Sequence, residues 1–240
     1  MFFWRWENFA AGLPPLPFAP EKALVCCVTG RESLRAADPA ESVLANIRVA
    51  IEAGADWVQI REKDLNAREL LALARSAVAM AKDDRRAPKA RVLINDRLDV
   101  ALAAGAAGVH LGRESAPARE VVRWCRSGNA PAEFLIGASC HNIEEAREAE
   151  GAGASYVFFG PVYDTPSKRS FGPPQGLAKL SEACRAVRLP VIAIGGVNEG
   201  NAEECLRAGA AGIAAIRLFQ EARDPAALQH AIARLHNLAR

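Results

Sequence analysis

Gly54-Ala55-Asp56-Trp57-Val58-Gln59-Ile60 reads as a glycine that stops a helix, followed at once by a short apolar strand. The pattern returns as Gly105-Ala106-Ala107-Gly108-Val109-His110-Leu111, as Gly153-Ala154-Ser155-Tyr156-Val157-Phe158-Phe159, and as Gly209-Ala210-Ala211-Gly212-Ile213-Ala214-Ala215. The copies lie about fifty residues apart, which is room for two βα units rather than one. Four further strands fit the gaps: Leu24 to Val28, Arg91 to Ile94, Phe134 to Ile136 and Val191 to Ile194. Eight strands, each followed by a helical pattern, is the count that closes an α/β chain into a single (β/α)8 TIM barrel.

The intervening stretches have helical periodicity. Asp38-Pro39 supplies an N-cap and a proline at the first helical position, Val43, Leu44, Ile47 and Ile51 share a face, and Gly54 ends the helix. Similar patterns run over 67–81, 98–104, 118–125, 143–150, 177–187, 201–208 and 225–239. The strands lack polar alternation, as burial on both faces of a parallel sheet requires. An open doubly wound sheet is the competing architecture, but no G-x-G-x-x-G follows the first strand.

Composition narrows the function. The chain has 240 residues, half of them hydrophobic, and a formal net charge of +2. That balance argues against nucleic-acid binding, which usually needs a basic stripe. No apolar run is long enough to span a membrane. The six cysteines, Cys26, Cys27, Cys125, Cys140, Cys184 and Cys205, have no zinc-site spacing, so reduced thiols in a cytoplasmic enzyme are the plain reading. Residues 1–20 form an N-terminal arm with Phe2, Phe3, Trp4, Trp6 and Phe9, then four prolines; residues 21–240 form the barrel. Arg5 and Glu7 interrupt the arm too early for a signal peptide. It is expected to pack on the domain or on a second subunit, which leaves room for a homo-oligomer; a mis-assigned start is the bland alternative.

In such a barrel the chemistry sits at the carboxyl ends of the strands. If strand two continues through Arg61-Glu62-Lys63-Asp64, its period of two puts Gln59, Arg61 and Lys63 on one face, a surface suited to an anion. The alternative is a solvated edge whose cations pair with Glu62 and Asp64. Asn95-Asp96 ends strand three, Gly112-Arg113-Glu114-Ser115 follows strand four, and Ser139-Cys140-His141 ends strand five. Gly160-Pro161 and Thr165-Pro166-Ser167-Lys168-Arg169 follow strand six, Gly195-Gly196 follows strand seven, and Arg217 follows strand eight.

Gly195-Gly196 and Arg217 fall where barrels often hold a phosphate, and Gln59, Arg61 and Lys63 with Lys168 and Arg169 make a second cationic cluster. Two anion sites point to small-molecule substrates: two phosphorylated ligands, or one ligand phosphorylated at both ends. Asp96 and Glu114 are the carboxylates available to Mg2+, which favours one or two carboxylates plus phosphate oxygens. Judged alone, Asp96 reads equally as a helix N-cap and Glu114 as a solvated loop charge. His141 beside Ser139 could transfer a proton or simply flank a cap. His110, between Val109 and Leu111, reads as a satisfied core residue, and Cys140 has no activating partner.

Val58-Gln59-Ile60-Arg61-Glu62-Lys63, Ile94-Asn95-Asp96-Arg97, Gly108-Val109-His110-Leu111-Gly112, Gly137-Ala138-Ser139, Phe159-Gly160-Pro161-Val162 with Thr165 to Lys168, and Ala193-Ile194-Gly195-Gly196 together resemble the thiamine phosphate synthase/TenI family. The resemblance spans Leu24 to Phe219. It implies a barrel enzyme that joins aminomethyl-hydroxypyrimidine pyrophosphate to thiazole phosphate with Mg2+ and releases pyrophosphate. By motif, Gln59, Arg61, Lys63, Asn95 and Lys168 would hold pyrophosphate, and Asp96 would bind Mg2+. Ser139, Thr165 and Ser167 would line the site, and Gly196 would take the thiazole phosphate. Two positions depart from the synthase pattern: Ser115 stands where a second metal-binding aspartate is usual, and Arg217 where a serine is usual. The TenI-like alternative is a metal-free thiazole tautomerase with His141 as its acid or base. A third reading is a non-catalytic regulator that binds thiamine precursors.

Overall fold

The computed structural model describes residues 22–31, 39–83, 89–165, 173–222 and 224–238. The arm 1–20, the Asp38 cap, and Ser167, Lys168 and Arg169 lie outside the described residues. Eight parallel strands close a barrel in chain order: β1 (Leu24–Val28), β2 (Trp57–Ile60), β3 (Arg91–Asn95), β4 (Gly108–Leu111), β5 (Leu135–Cys140), β6 (Tyr156–Phe159), β7 (Val191–Ile194) and β8 (Gly212–Ala215). β8 pairs back onto β1, Leu24 opposite Gly212, so the (β/α)8 TIM barrel read from the repeat is the fold. Around it run α1 (Pro39–Ala53), α2 (Ala67–Asp83), α3 (Leu98–Ala104), α4 (Ala118–Trp124), α5 (Ile143–Ala152), α6 (Gly176–Ala186), α7 (Ala202–Arg207), the one-turn α8 (Arg217–Gln220) and α9 (Pro225–Leu238).

Strand alternation sorts the apolar residues into two clusters. Val58, Ile60, Val92, Ile94, Val109, Val157 and Phe159 face the helices and pack with Ile47, Leu73, Val122, Leu180 and Ile232. Trp57, Leu93, Leu135, Tyr156, Phe158 and Ile192 face inward and fill the barrel. Each such side chain, taken fully from water, contributes roughly 2 kcal/mol. The glycines of the repeat do what the sequence implied: Gly54, Gly105, Gly153 and Gly209 all take positive φ where a helix ends.

Several boundaries differ from the sequence reading by one or two residues, and four differences bear on the site or the packing. β2 stops at Ile60 instead of continuing to Lys63, because side chains take over from the ladder there. The Arg61 N–H donates to Thr29 Oγ1 at 3.0 Å, and the Arg31 N–H donates to the buried Glu62 carboxylate at 3.0 Å. The period-of-two face therefore does not extend to Lys63, which sits exposed in a turn. β5 begins at Leu135 and runs on to Cys140, so Ser139 is a strand residue. α4 ends in a five-residue π turn, Cys125–Asn129, where Gly128 has φ 89°. β8 ends at Ala215, which puts Arg217 in α8 rather than at a strand tip.

The amino-terminal end of the barrel is closed by a polar latch. Asp56 accepts from the Val25 N–H at 2.9 Å, pairs with Lys22 at 2.8 Å, and meets His236 of α9 at 2.8 Å. Burial alone would push the Asp56 carboxyl up, but the hydrogen bonds from His236, Lys22 and Val25 outweigh it and hold it below the usual carboxylate range. Asp56→Asn is expected to cost about 1–2 kcal/mol at neutral pH, measured by urea denaturation. A depressed folded value means that the wild-type advantage is complete above the unfolded value of about 4 and is lost as pH falls through the lower, folded one. An advantage that stays constant on acidification would exclude this latch.

Candidate active site

Three strands bring their polar tips into one hydrogen-bonded line at the carboxyl-end rim. Gln59, buried inside β2, donates from Nε2 to Asn95 Oδ1 of β3 at 3.0 Å. Asn95 Nδ2 donates to Asp96 Oδ2 at 2.6 Å. The other Asp96 oxygen accepts the Gly112 N–H at 3.1 Å and the Ser115 hydroxyl, both from the segment after β4. Asp96 holds φ 60°, the left-handed region that aspartate enters more readily than most residues. It is not the N-cap of α3; that position is Arg97, with no side-chain cap bond.

A second line crosses from β4 to β5 and β6. His110 Nε2 is 2.9 Å from Ser139 Oγ, and His110 Nδ1 is 3.1 Å from the Tyr156 hydroxyl. Burial pushes the His110 imidazole down to about 3, against an opposing pull from Asp96 and with a smaller push from Arg61, so it is neutral near pH 7. Arg61 stands half-buried at the rim. Its loop is pinned by Thr29 and by Arg31, whose guanidinium bonds Asp64.

Across the barrel, Gly195 and Gly196 have φ 91° and 69°. A Cβ on Gly195 would stand 2.5 Å from Pro161 Cα, and one on Gly196 would stand 2.7 Å from Tyr163 Cβ. The segment after β6 follows β7, its Val162 and Tyr163 N–H groups donating to the Ile194 and Gly195 carbonyls at 2.9 Å. The double glycine thus lets that segment, which leads to Thr165, lie against β7.

Other sequence candidates stand apart. His141 is occupied: its N–H and its Nδ1 both meet Glu145 Oε2, at 2.7 and 3.1 Å, while Asn142 caps α5 through the Glu145 N–H. Ser139 therefore has His110, not His141, as its imidazole partner. Arg217 is exposed and shares a groove with Glu199, Glu221 and Asp224, acidic company for an anion-binding guanidinium. Cys140 is buried and its thiol is pushed up to about 12 by burial, as expected of a residue without an activating partner. Glu114 is exposed and, among the described residues, has no hydrogen bond to Asp96; Ser115 makes that contact instead. No cluster of three or more metal-ligating side chains occurs among the described residues. His110 is the buried, satisfied residue that the sequence implies; what the sequence reading does not give is the inward direction of its ring and the contact of Ser115 with Asp96. Strand parity could have found the first, since Gly108, His110 and Gly112 alternate on the inward face.

The sequence profile described as thiamine monophosphate synthase matches residues 25–219. The chain belongs to the thiamine monophosphate synthase family. Relatives of this family agree over most of their length. A thiamine-phosphate synthase of Roseiflexus sp. (strain RS-1) is 40% identical over 219 residues, 91% of this chain and 87% of that protein. One of Methanocella arvoryzae is 44% identical over 177 residues, 74% of this chain and 79% of that protein. Among solved structures, thiamine phosphate pyrophosphorylase from Pyrococcus furiosus superposes with a TM-score of 0.76 at 30% identity, covering 90% of this chain and 96% of that one. Gly196→Ala, which sets a Cβ against both Tyr163 and the Asp164 carbonyl, is expected to destabilise the protein by about 2 kcal/mol. A denaturation midpoint equal to wild type would show that the segment after β6 yields freely.

Proposed function

We propose that this chain is a thiamine phosphate synthase, a transferase that couples aminomethyl-hydroxypyrimidine pyrophosphate to thiazole phosphate and releases pyrophosphate. The observation that carries the reading is the continuous line Gln59–Asn95–Asp96–Ser115 across three strand ends, in a chain whose family relatives bear that name. In this reading Gln59, Arg61, Lys63, Asn95 and Lys168 bind pyrophosphate. Gly195 and Gly196 offer backbone to the thiazole phosphate, and Ser139, Thr165 and Ser167 line the space between.

The bond from the pyrimidine methylene to the pyrophosphate oxygen breaks first, and its electron pair leaves with pyrophosphate. The lone pair of the thiazole nitrogen then forms the new carbon–nitrogen bond to the methylene. Charge grows on the leaving group during the first step, so donors and cations already aimed there lower the barrier. Gln59 and Asn95 are fixed by each other, and Arg61 is fixed through its own backbone by Thr29. Little reorganisation is then required of the two amides as the charge develops.

The donor set around Asp96 fits Mg2+. It is one carboxylate and the Ser115 hydroxyl, hard oxygens that leave coordination positions for water and phosphate. Asp96 would hold the ion, with Glu114 as the candidate second carboxylate. When bound, Mg2+ supplies neutralisation of the leaving pyrophosphate. Six free cysteines, five of them buried, suit the reducing cytoplasm in which we place the enzyme.

Purified protein with both substrates is expected to form thiamine phosphate and release pyrophosphate only when Mg2+ is supplied. Absence of turnover, despite binding of thiazole phosphate, would reject the synthase and direct attention to aromatisation of a carboxythiazole phosphate by His141. His141→Ala is expected to leave synthase turnover intact. Ser115→Asp should lower the Mg2+ concentration that gives half-maximal rate, and Glu114→Ala should raise it. An unchanged Mg2+ dependence in Glu114→Ala would remove that residue from the site.

A further inference from the structure

A closed barrel gives an interior polar group no partner except another interior group. Tyr156 is fully buried, and its ring lies so close to β5 that a Cβ on Gly137 would stand 2.1 Å from it. Trp57 and Phe158 pack on it with ring centroids 4.6 and 5.4 Å away. Held this way, the Tyr156 hydroxyl meets a single hydrogen-bond partner among the described residues, His110 Nδ1. His110 is itself buried, its ring 4.3 Å from that of Phe158, and its remaining nitrogen faces Ser139 Oγ.

A neutral imidazole has one N–H and one bare nitrogen, so the two ends of this chain are coupled. If Nδ1 carried the proton, the Tyr156 hydroxyl would accept from it and its own O–H would have no acceptor in a dry interior. If Nδ1 is bare, Tyr156 donates to it and every buried donor is matched. The proton then sits on Nε2 and is donated to Ser139 Oγ. Ser139 receives a hydrogen bond and must send its own proton elsewhere, toward the open rim where it is partly exposed.

We propose that Tyr156 fixes the Nε2–H tautomer of His110, and that His110 thereby makes Ser139 a hydrogen-bond donor to an acceptor atom of the pyrimidine substrate. The inference rests on the synthase reading of Ser139 and adds to it a direction: the hydroxyl gives a hydrogen bond to a ring nitrogen or ester oxygen. His110 and Tyr156 are positioning residues, because neither reaches the substrate except through Ser139.

Nitrogen-15 histidine NMR of the ligand-free protein reads the tautomer without any turnover, and His110→Gln assigns the resonances. Wild type should hold the His110 proton on Nε2, and Tyr156→Phe should populate both tautomers. In the pyrophosphate-release assay Tyr156→Phe should lower kcat on the order of tenfold, the worth of one hydrogen bond, with KM for thiazole phosphate unchanged. His110→Gln, whose amide nitrogen can stand in for Nε2–H, should retain more activity than His110→Ala. A wild-type proton on Nδ1 alongside normal turnover overturns this inference and leaves the synthase intact, as does a Tyr156→Phe kcat equal to wild type. The expected tautomer with no pyrophosphate release would instead overturn the synthase reading, and the role given to Ser139 with it.

Discussion

Closure of the parallel ladder is the constraint on which the molecule depends. Once β8 pairs with β1, every interior backbone group between the strand ends is committed to a neighbour, and the lumen is sealed from water. Interior side chains must then be apolar or must satisfy one another. The lower layers meet this with Leu24, Leu93, Leu135, Ile192 and the aromatic group around Tyr156. Polar side chains gather toward the carboxyl end, where the register sets Asn95 beside His110, and Gln59, which pairs with Leu93, reaches up to Asn95. Polarity at that end is a consequence of where the sheet stops being sealed.

The strand ends are held by side chains where the ladder gives out. Thr29 accepts the Arg61 N–H while its own N–H donates to the Gln59 carbonyl at 2.9 Å, so β1 pins the exit of β2. Glu62 is buried beneath this joint. Burial raises its carboxyl, opposed by Thr29 and by the Arg31 N–H and guanidinium, with the net shift upward. On the other side, Gln220 of α8 donates to the Gly30 carbonyl at 2.9 Å, which ties the last unit of the barrel to the first. The first, second and last units of the rim are thus fastened to each other, and Arg61 owes its place to the segment that follows β1.

Much of this was legible in the sequence, for physical reasons. The helix-stop glycines mark the start of alternate strands because left-handed backbone at a helix end favours glycine over other residues. Continuous apolar strands signal burial on both faces, and the strand tips at Gln59, Asn95, Asp96 and Ser139 converge as the barrel count required. What escaped was set by contacts between distant segments. The stop of β2 at Ile60 depends on Thr29, some thirty residues earlier, and nothing local to Arg61-Glu62-Lys63 reports it. His110 is core, as its apolar neighbours Val109 and Leu111 implied, but those neighbours face the helices while His110 faces the lumen, so its partners Tyr156 and Ser139 could not be read locally. The hydrogen bond from Ser115 to Asp96 needed a backbone turn that only the folded loop supplies.

The charge balance of the rim follows from the same burial. Desolvation disfavours the charged His110 imidazole and outweighs the opposing pull of Asp96, with Arg61 adding a smaller push in the same direction as burial, so the imidazole is uncharged. Gln59, Asn95, Ser115 and Ser139 are neutral dipoles held by one another or by the backbone. Among the described residues of this layer, a ligand therefore meets oriented dipoles together with the Asp96 carboxylate and the Arg61 guanidinium. Oriented dipoles cost little to keep in place and do not repel each other as buried ammonium groups would. A barrel end built this way can admit a charged molecule without first having to neutralise itself.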